Sequence, residues 1–180
     1  LYKPKNISSF FAIKKVKARF DLKKIGHGGT LDPAAEGILP IAIGKTTKLI
    51  PFINNKQKKY IFKIKWGQKT TTDDAEGEII NSCDYIPKEK QILIKLNNFI
   101  GNINQTPPLV SANKVDGKPA YKLFRENKKF KLKSKNVYVK NLTLLKSNSV
   151  NYSNFEIECG RGFYVRSFAR DLAESLGTFG

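Results

Sequence analysis

The 180-residue sequence is poor in the side chains that most often carry metal or nucleophilic chemistry. It contains two cysteines, Cys83 and Cys159, one histidine, His27, and no methionine. Two thiols and one imidazole cannot form a Cys/His zinc cluster or a disulfide-rich scaffold. A Ser/His/Asp triad would need His27 as its base, yet that residue lies in a glycine-rich turn and no serine lies in a nucleophile elbow. We therefore expect no metal and no serine-hydrolase chemistry.

Acidic residues are also scarce. Fifteen Asp and Glu stand against 33 Lys and Arg, which gives a formal net charge of +18. Such an excess repels itself unless a polyanion neutralises it, so nucleic acid is the leading partner. No apolar run approaches the roughly 20 residues of a membrane-spanning helix, and the basic residues are not confined to one amphipathic segment, so we expect no membrane partner. The start of the chain shows no secretory signal, and we expect a cytoplasmic protein.

The most informative segment is Gly26–Gly37, which reads GHGGTLDPAAEG. It places Asp32 between a turn with three glycines in four residues and Pro33. The glycines allow close backbone approach to a ligand, and proline fixes the chain direction after the acid. One interpretation is a carboxylate that reaches a substrate. The other is a helix start, with Asp32 as N-cap and Pro33 as the first helical residue, and the two can coexist.

Three segments have the spacing of amphipathic helices. Ser8 or Ser9 caps the first, Pro87 opens the second before Gly101 stops it, and the third ends at Gly177. Their apolar faces comprise Ile13, Val16 and Phe20 in the first helix, Ile92, Leu96, Phe99 and Ile100 in the second, and Val165, Phe168, Ala169, Leu172 and Leu176 in the third.

Other segments have the alternation typical of strands. In the range 58–67, Tyr60, Phe62, Ile64 and Trp66 lie on one face and lysines on the other. The ranges 137–145 and 155–159 alternate in the same way.

Between these patterns lie segments with weaker signals. The run 38–43, interrupted by Pro40, predicts a buried edge strand, and a helical turn is expected over 46–52. The lysine-rich range 128–135 predicts a loop, either a solvated surface or an RNA contact. Because several strands follow one another without a helix between them, we predict an α+β fold with a mixed, mainly antiparallel sheet and flanking helices.

The residues also resemble a known family. The signature of the TruB-type tRNA pseudouridine synthases is similar to the segment GHGGTLDPAAEGILPIAIGKTTKLI. Further blocks occur in the family's order and at its approximate spacing: LYKPKNISSF, KKYIFKIKWG followed by TTTDDAEG, QTPPLVSANKVDGKPAYKLFR, and CGRGFYVRSFARDLAESLG. The resemblance covers most of the chain and implies the pseudouridine synthase catalytic fold.

The resemblance implies an enzyme that isomerises uridine to pseudouridine without a cofactor, by detaching the base, turning it and rejoining it through carbon. Asp32 matches the family's catalytic aspartate, which acts as nucleophile or as base. Arg166 matches the arginine that pairs with this aspartate. By local pattern alone, an arginine in the first turn of a helix is more often a surface residue.

Other residues also match the family's motifs, but most of them could equally have a purely structural role. Tyr60 matches the family's active-site tyrosine, which stacks on the target base and is expected to help move the proton from its carbon, although an aromatic on an alternating strand is usually a core residue. His27 matches the histidine that holds the target nucleotide out of its stack, and it could equally be an ordinary turn histidine. Tyr164 belongs to the GxYxR block and is expected to line the base pocket. Lys3, in the KP pair, and Asp74, in the DAEG segment, are candidates for RNA contact, for shaping a turn or for orienting neighbours.

The sequence departs from the family's usual residues at Gly28, where threonine is common, at Tyr2 for Asp and at Asn6 for Gly. The resemblance implies that residues 1–180 form a catalytic domain that is incomplete at its C-terminus and has no RNA-binding tail. The implied partner is the T-stem-loop of tRNA, with the uridine at position 55 as target and a monomer as the acting form. A guide-RNA-dependent synthase subunit and a non-catalytic tRNA-binding or tRNA-folding protein remain alternatives.

Overall fold

The structure is a computed structural model and describes residues 1–53, 57–147 and 149–180. The chain divides after residue 56 into two compact units, here called the N-terminal unit and the main unit. The elements of the N-terminal unit are β1 (Tyr2–Lys3), α1 (Ser9–Arg19), β2 (Ile25–His27), β3 (Gly37–Ile38), β4 (Ile41–Ile43) and α2 (Ile50–Ile53).

Helix α1 begins where the sequence predicts. Ser8 is the N-cap, and its hydroxyl accepts a hydrogen bond from the Phe11 N–H at 3.1 Å. The placement of Phe20 on the buried face is wrong. The helix ends at Arg19, because the backbone of Phe20 leaves the helical region and Asp21 follows in the left-handed region with φ 47°. The Phe20 side chain is 69% exposed.

The N-terminal unit contains two small antiparallel ladders, β1 with β3 and β2 with β4. The prediction of one buried strand over 38–43 is wrong, since the run splits around Pro40, which has no N–H to donate to a ladder. Ile38 pairs with Tyr2 and is 75% exposed. The helical turn predicted over 46–52 is confirmed as a 3-10 turn, Gly44–Leu49, that continues into α2.

The main unit is built on a four-stranded antiparallel sheet. Its order is β5-β12-β11-β8, so the first strand pairs with one that comes much later in the chain. The elements of the main unit are β5 (Lys58–Lys65), β6 (Gln68–Thr70), β7 (Ile79–Ser82), α3 (Glu89–Leu96), β8 (Gly101–Gln105), β9 (Lys114–Val115), β10 (Lys118–Pro119), α4 (Ala120–Arg125), β11 (Lys135–Leu145), β12 (Tyr152–Cys159) and α5 (Val165–Ser175).

Helices α3 and α5 contact each other and share one apolar core with the sheet. Phe155 of β12 and Phe168 of α5 are wholly buried, and their ring centroids lie 6.0 Å apart in an edge-to-face contact. Phe62 stacks on Phe155 at 5.6 Å. Such aromatic pairs stabilise a core beyond the area they bury. The predicted fold class is therefore confirmed, with an antiparallel sheet and flanking helices.

The long periodic elements lie close to their predicted positions. Alternation along β5 is confirmed, with Ile64 buried between exposed lysines. Helix α3 begins two residues after Pro87, and α5 begins at Val165 as predicted and ends two residues before Gly177. The sequence missed α4 and the short strands β6 to β10. The predicted lysine-rich loop is confirmed over 128–134, and Lys135 begins β11.

Within the described ranges, no helix is both long and apolar enough to cross a membrane.

The two thiols lie in different environments, and we expect them to react differently. Cys159 is wholly buried, and burial raises the pKa of its thiol to about 12, so roughly one in ten thousand is ionised at pH 8. Cys83 is half-buried, and a hydrogen bond between its thiol and the Thr178 hydroxyl, with Oγ1 3.2 Å from Sγ, lowers the pKa of the thiol. With a disulfide reagent at pH 8, Cys83→Ser should remove one equivalent of fast reaction from the native protein.

The variant Cys159→Ser is the control for this titration, and it should change only the equivalents that react after unfolding in guanidinium chloride. Fast native labelling that survives in Cys83→Ser and disappears in Cys159→Ser would contradict the assignment.

Candidate active site

The segment that carries Asp32 joins β2 to β3 as an irregular loop. The Ala35 N–H donates to the Asp32 carbonyl at 3.1 Å and closes a single turn. A helix would need the Pro33 carbonyl to accept a bond from a residue further along the loop, but that carbonyl accepts from the Asn6 N–H at 2.8 Å. The prediction that Asp32 caps a helix is therefore wrong, and Asp32 is a half-buried loop residue.

Lys3 is wholly buried, and backbone carbonyls surround its ammonium group. Nζ donates to the carbonyls of Pro4 and Ile7 at 2.8 Å each and to that of Pro33 at 3.4 Å. Burial lowers the pKa of Lys3, and the negative charge of Asp32 opposes this shift. The structure thus places Lys3 where it shapes the first turn and holds the residue that follows Asp32.

His27 ends β2, opposite Ile41 of β4. Its Nδ1 atom forms a hydrogen bond with the carbonyl oxygen of Gly29. Because a carbonyl oxygen only accepts, Nδ1 carries the proton in this contact. The backbone N–H of Gly28 donates to the Pro40 carbonyl at 2.8 Å, so this glycine turn is tied to the chain that leads into β4.

In the main unit, Arg166 lies in the first turn of α5, as predicted. Its side chain is only 12% exposed, so it is not the surface residue that local pattern favours. The Nη1 atom donates to the Thr72 carbonyl at 3.0 Å and lies 3.4 Å from Oδ2 of Asp74. The Nη2 atom donates to the Val110 carbonyl at 3.1 Å. The guanidinium therefore connects two loops to the start of α5.

Asp74 lies in the turn between β6 and β7 and is held there by hydrogen bonds. Its Oδ1 atom accepts from the Thr72 hydroxyl at 2.6 Å and from the Glu76 N–H at 3.0 Å. The Thr70 hydroxyl donates to the Asp74 carbonyl at 2.7 Å. Asp74 is thus a turn carboxylate that also orients Arg166.

One helical turn further along α5, Arg170 holds the same loop. Its Nη1 atom donates to Oδ2 of Asp73 at 2.9 Å, and its Nε atom donates to Oδ1 of Asp171 at 2.9 Å. Burial raises the pKa of Asp73, against the charge of Arg170. Asp73 has φ 56°, a left-handed conformation that the ion pair helps to maintain directly before Asp74.

Tyr164 precedes α5 and is fixed at both ends. The buried amide of Gln105, at the end of β8, accepts from the Tyr164 N–H at 2.8 Å and donates to the Tyr164 carbonyl at 3.1 Å. The Asn113 side chain donates to the Tyr164 hydroxyl at 2.8 Å. The contact fixes the ring of Tyr164 at its outer end.

Tyr60 lies on β5 opposite Ile157 of β12. It is half-buried and packs against the core of the main unit. A tyrosine in this position combines a packed ring with a polar tip. The structure therefore gives Tyr60 the core contact that alternation predicts.

Within each unit, the structure brings predicted residues together. In the N-terminal unit, Asp32 and Lys3 share one loop cluster. In the main unit, Arg166, Asp74 and Tyr164 surround the start of α5. Sequence analysis did not identify the residues that hold these groups in place by hydrogen bonds. The presence of polar residues inside the matched motifs was the signal that could have indicated them.

Comparisons with known proteins agree with the resemblance. Residues 17–165 match the model of the TruB family pseudouridylate synthase, N-terminal domain. The chain is 49% identical over 179 residues to the tRNA pseudouridine synthase B of Ehrlichia ruminantium (strain Gardel), covering 99% of this chain and 60% of that protein. It is 46% identical over 180 residues to the protein of the same name from Caulobacter sp. (strain K31), covering 100% of this chain and 58% of the relative. The chain thus spans about three fifths of the length of these curated relatives.

Among solved structures, the fold resembles a chain in a crystal structure of a Cbf5-Nop10-Gar1 complex. The TM-score is 0.72 at 24% sequence identity, with 99% of this chain and 44% of that chain covered. A chain in an H/ACA RNP bound to a substrate RNA containing 2′-deoxyuridine gives a TM-score of 0.69 at 21% identity, with 99% and 42% covered. At these identities the similarity concerns the fold. The family match over most of the chain, together with close relatives along its whole length, shows that the chain belongs to the TruB family of pseudouridylate synthases.

Proposed function

We propose that this chain is the catalytic part of a tRNA pseudouridine synthase that converts the T-loop uridine at position 55 to pseudouridine. The observation that carries the proposal is the 43–49% identity over the chain to bacterial proteins named tRNA pseudouridine synthase B. Asp32 is the proposed catalytic carboxylate, and its loop is anchored on both sides. We further propose that the enzyme acts in the cytoplasm as a monomer.

The reaction moves one bond and one proton. The glycosidic bond between C1′ and N1 breaks, the base turns, and a bond forms between C1′ and C5. The hydrogen on C5 is lost and N1 gains one, so substrate and product are isomers. A carboxylate can serve this sequence either by bonding to the sugar or by accepting a proton. Asp32 is suited to both roles, because it is half-buried in a loop whose backbone is fixed.

The residues at the start of α5 serve the same reaction in this proposal. Arg166 supplies a buried positive charge that stabilises negative charge during catalysis. Tyr164 lines the base pocket, and Tyr60 offers a ring face for stacking on the base. Because the reaction is an isomerisation, it consumes no oxidant or reductant.

The proposed substrate is the folded T-stem-loop, bound through phosphate contacts. The net charge of +18 favours a polyanion. Lys128, Lys129, Lys131 and Lys133 are all exposed on the loop before β11 and are available to phosphates. We place His27 beside the target nucleotide, where its Nε2 atom can form a hydrogen bond. Since a stacked uridine is out of reach, the target base must leave its stack before reaction.

The test is pseudouridine mapping on an unmodified tRNA transcript. The protein at its natural full length is incubated with the transcript, and carbodiimide labelling with primer extension then locates pseudouridine. We expect a single stop at the T-loop uridine, and none in a matched transcript with cytidine at that position. The cytidine transcript should still bind, because the phosphate contacts are retained.

Two outcomes would contradict the proposal. Binding of tRNA without any stop would favour a non-catalytic binding or folding protein. Activity that appears only after addition of a guide RNA and partner proteins would favour a guide-dependent subunit.

A further inference from the structure

Ser9 is the first residue of α1, and its side chain faces away from the helix. It is 2% exposed, and its hydroxyl bridges both backbone polar groups of Leu31, 22 residues later in the sequence. The Leu31 N–H donates to Ser9 Oγ at 2.9 Å, and the Ser9 hydroxyl donates to the Leu31 carbonyl at 2.9 Å. Because Ser8 already caps the helix, the hydroxyl of Ser9 is not needed for that purpose.

Leu31 directly precedes Asp32, and the residue on the other side is anchored too. The Pro33 carbonyl accepts from the Asn6 N–H and from Lys3 Nζ. Asp32 therefore lies between two residues whose backbone is held by the first nine residues of the chain. The position of the Asp32 carboxylate therefore depends on this anchored backbone.

We propose that Ser9 is a positioning residue for the carboxylate of Asp32. The inference rests on the proposed function, since it assumes that Asp32 reacts. Removing the hydroxyl leaves the N–H and the carbonyl of the half-buried Leu31 without this partner, and unpaired polar groups that are shielded from water favour a rearranged backbone. A displacement of about 1 Å at a reacting group can lower a rate by about 100-fold.

The experiment compares Ser9→Ala, Ser9→Cys and Ser9→Thr by single-turnover kinetics with saturating full-length protein. Ser9→Ala should lower the rate constant by about 10- to 100-fold, with the Kd for tRNA within about twofold of the parent. Ser9→Cys nearly preserves the size of the side chain and should lower the rate in the same direction, because a thiol is a weak hydrogen-bond partner. It therefore keeps the test valid if Ser9→Ala does not fold. Ser9→Thr retains a hydroxyl and should recover most of the rate.

Two matched controls separate positioning from general stability. Thr46 makes the same pair of bonds to one residue, with its hydroxyl accepting from the Ile43 N–H at 3.1 Å and donating to the Ile43 carbonyl at 2.6 Å. Ser153 is buried to a similar extent as Ser9, since it is 8% exposed, and its hydroxyl accepts a hydrogen bond from Trp66 Nε1 at 2.9 Å. Thr46→Ala and Ser153→Ala should lower the Tm while the single-turnover rate stays at the parent value.

The inference is overturned if Ser9→Ala and Ser9→Cys react at the parent rate while Asp32→Asn is inactive. It is also overturned if Ser153→Ala slows the reaction as much as Ser9→Ala does at an equal loss of Tm. A parent protein without activity, or an Asp32→Asn variant with full activity, would refute the proposed function instead, so the two failures are distinguishable.

Discussion

Replacement of Asp32 by asparagine should abolish pseudouridine formation and leave tRNA binding unchanged. Asparagine has nearly the same shape, and the hydrogen bonds with Ser9, Asn6 and Lys3 hold the backbone of Leu31 and Pro33 on either side of it. The variant therefore loses the charge of the carboxylate while the loop keeps its anchors. Loss of a general base lowers a rate by about 10²–10⁴-fold. Loss of an attacking nucleophile can reach about 10⁶-fold.

The size of the loss thus separates two roles for Asp32 that the sequence leaves open. Single-turnover rates with saturating protein measure it, and filter binding gives the Kd for tRNA. Glu36→Gln is the matched control, because Glu36 lies in the same loop, is exposed, accepts a hydrogen bond from the Tyr2 hydroxyl and forms an ion pair with Lys5. Its rate should stay within about twofold of the parent, as for most surface changes. Equal rates in Asp32→Asn and Glu36→Gln would show that Asp32 takes no part in the reaction.

The second large effect is expected at Arg166. Lysine at this position keeps the positive charge, but one ammonium group cannot reproduce the planar fork that reaches Thr72, Val110 and Asp74. Methionine removes the charge as well and leaves Asp74 without this ion pair. We expect Arg166→Lys to lose about 10- to 100-fold in single-turnover rate and Arg166→Met at least about 10³-fold, as for loss of a donor that stabilises developing charge.

Arg161 provides the control for these variants. It is exposed and lies five residues before Arg166, so Arg161→Met removes the same charge from the protein without opening a buried network. At saturating protein its rate should match that of the parent, even where tRNA affinity falls. Thermal unfolding of all variants shows whether the protein is folded at the assay temperature. If Arg166→Met is folded and reacts as fast as Arg161→Met, the guanidinium has only a structural role.

The sequence predicts the long elements well, because their patterns repeat over several turns or strand pairs. Helix α5 and strand β5 follow their periodicity since each buries one complete face in the core. The predictions fail where a residue distant in sequence forms the hydrogen bond that a backbone group would otherwise form within a local element. The helix expected at Asp32 does not form, because Asn6 and Lys3 bind the Pro33 carbonyl.

The same limit applies to the candidate site. The resemblance identifies Asp32, Arg166 and Tyr164, but their supports come from far along the chain. Ser9 reaches Leu31 across 22 residues, and Gln105 reaches Tyr164 across 59. No local pattern encodes such pairs, because each depends on how separate elements pack together.

The pairing of β5 with β12 has a consequence for synthesis of the protein on the ribosome. Lys65 pairs with Tyr152 and Lys58 with Cys159, so the partner of β5 is translated roughly a hundred residues later. At about 5–20 residues per second, the ribosome needs roughly 5–20 seconds to make that partner. During this interval Phe62 and Ile64 have no strand beside them, whereas both ladders of the N-terminal unit are already complete. The nascent chain is then a ligand for chaperones that bind extended apolar segments.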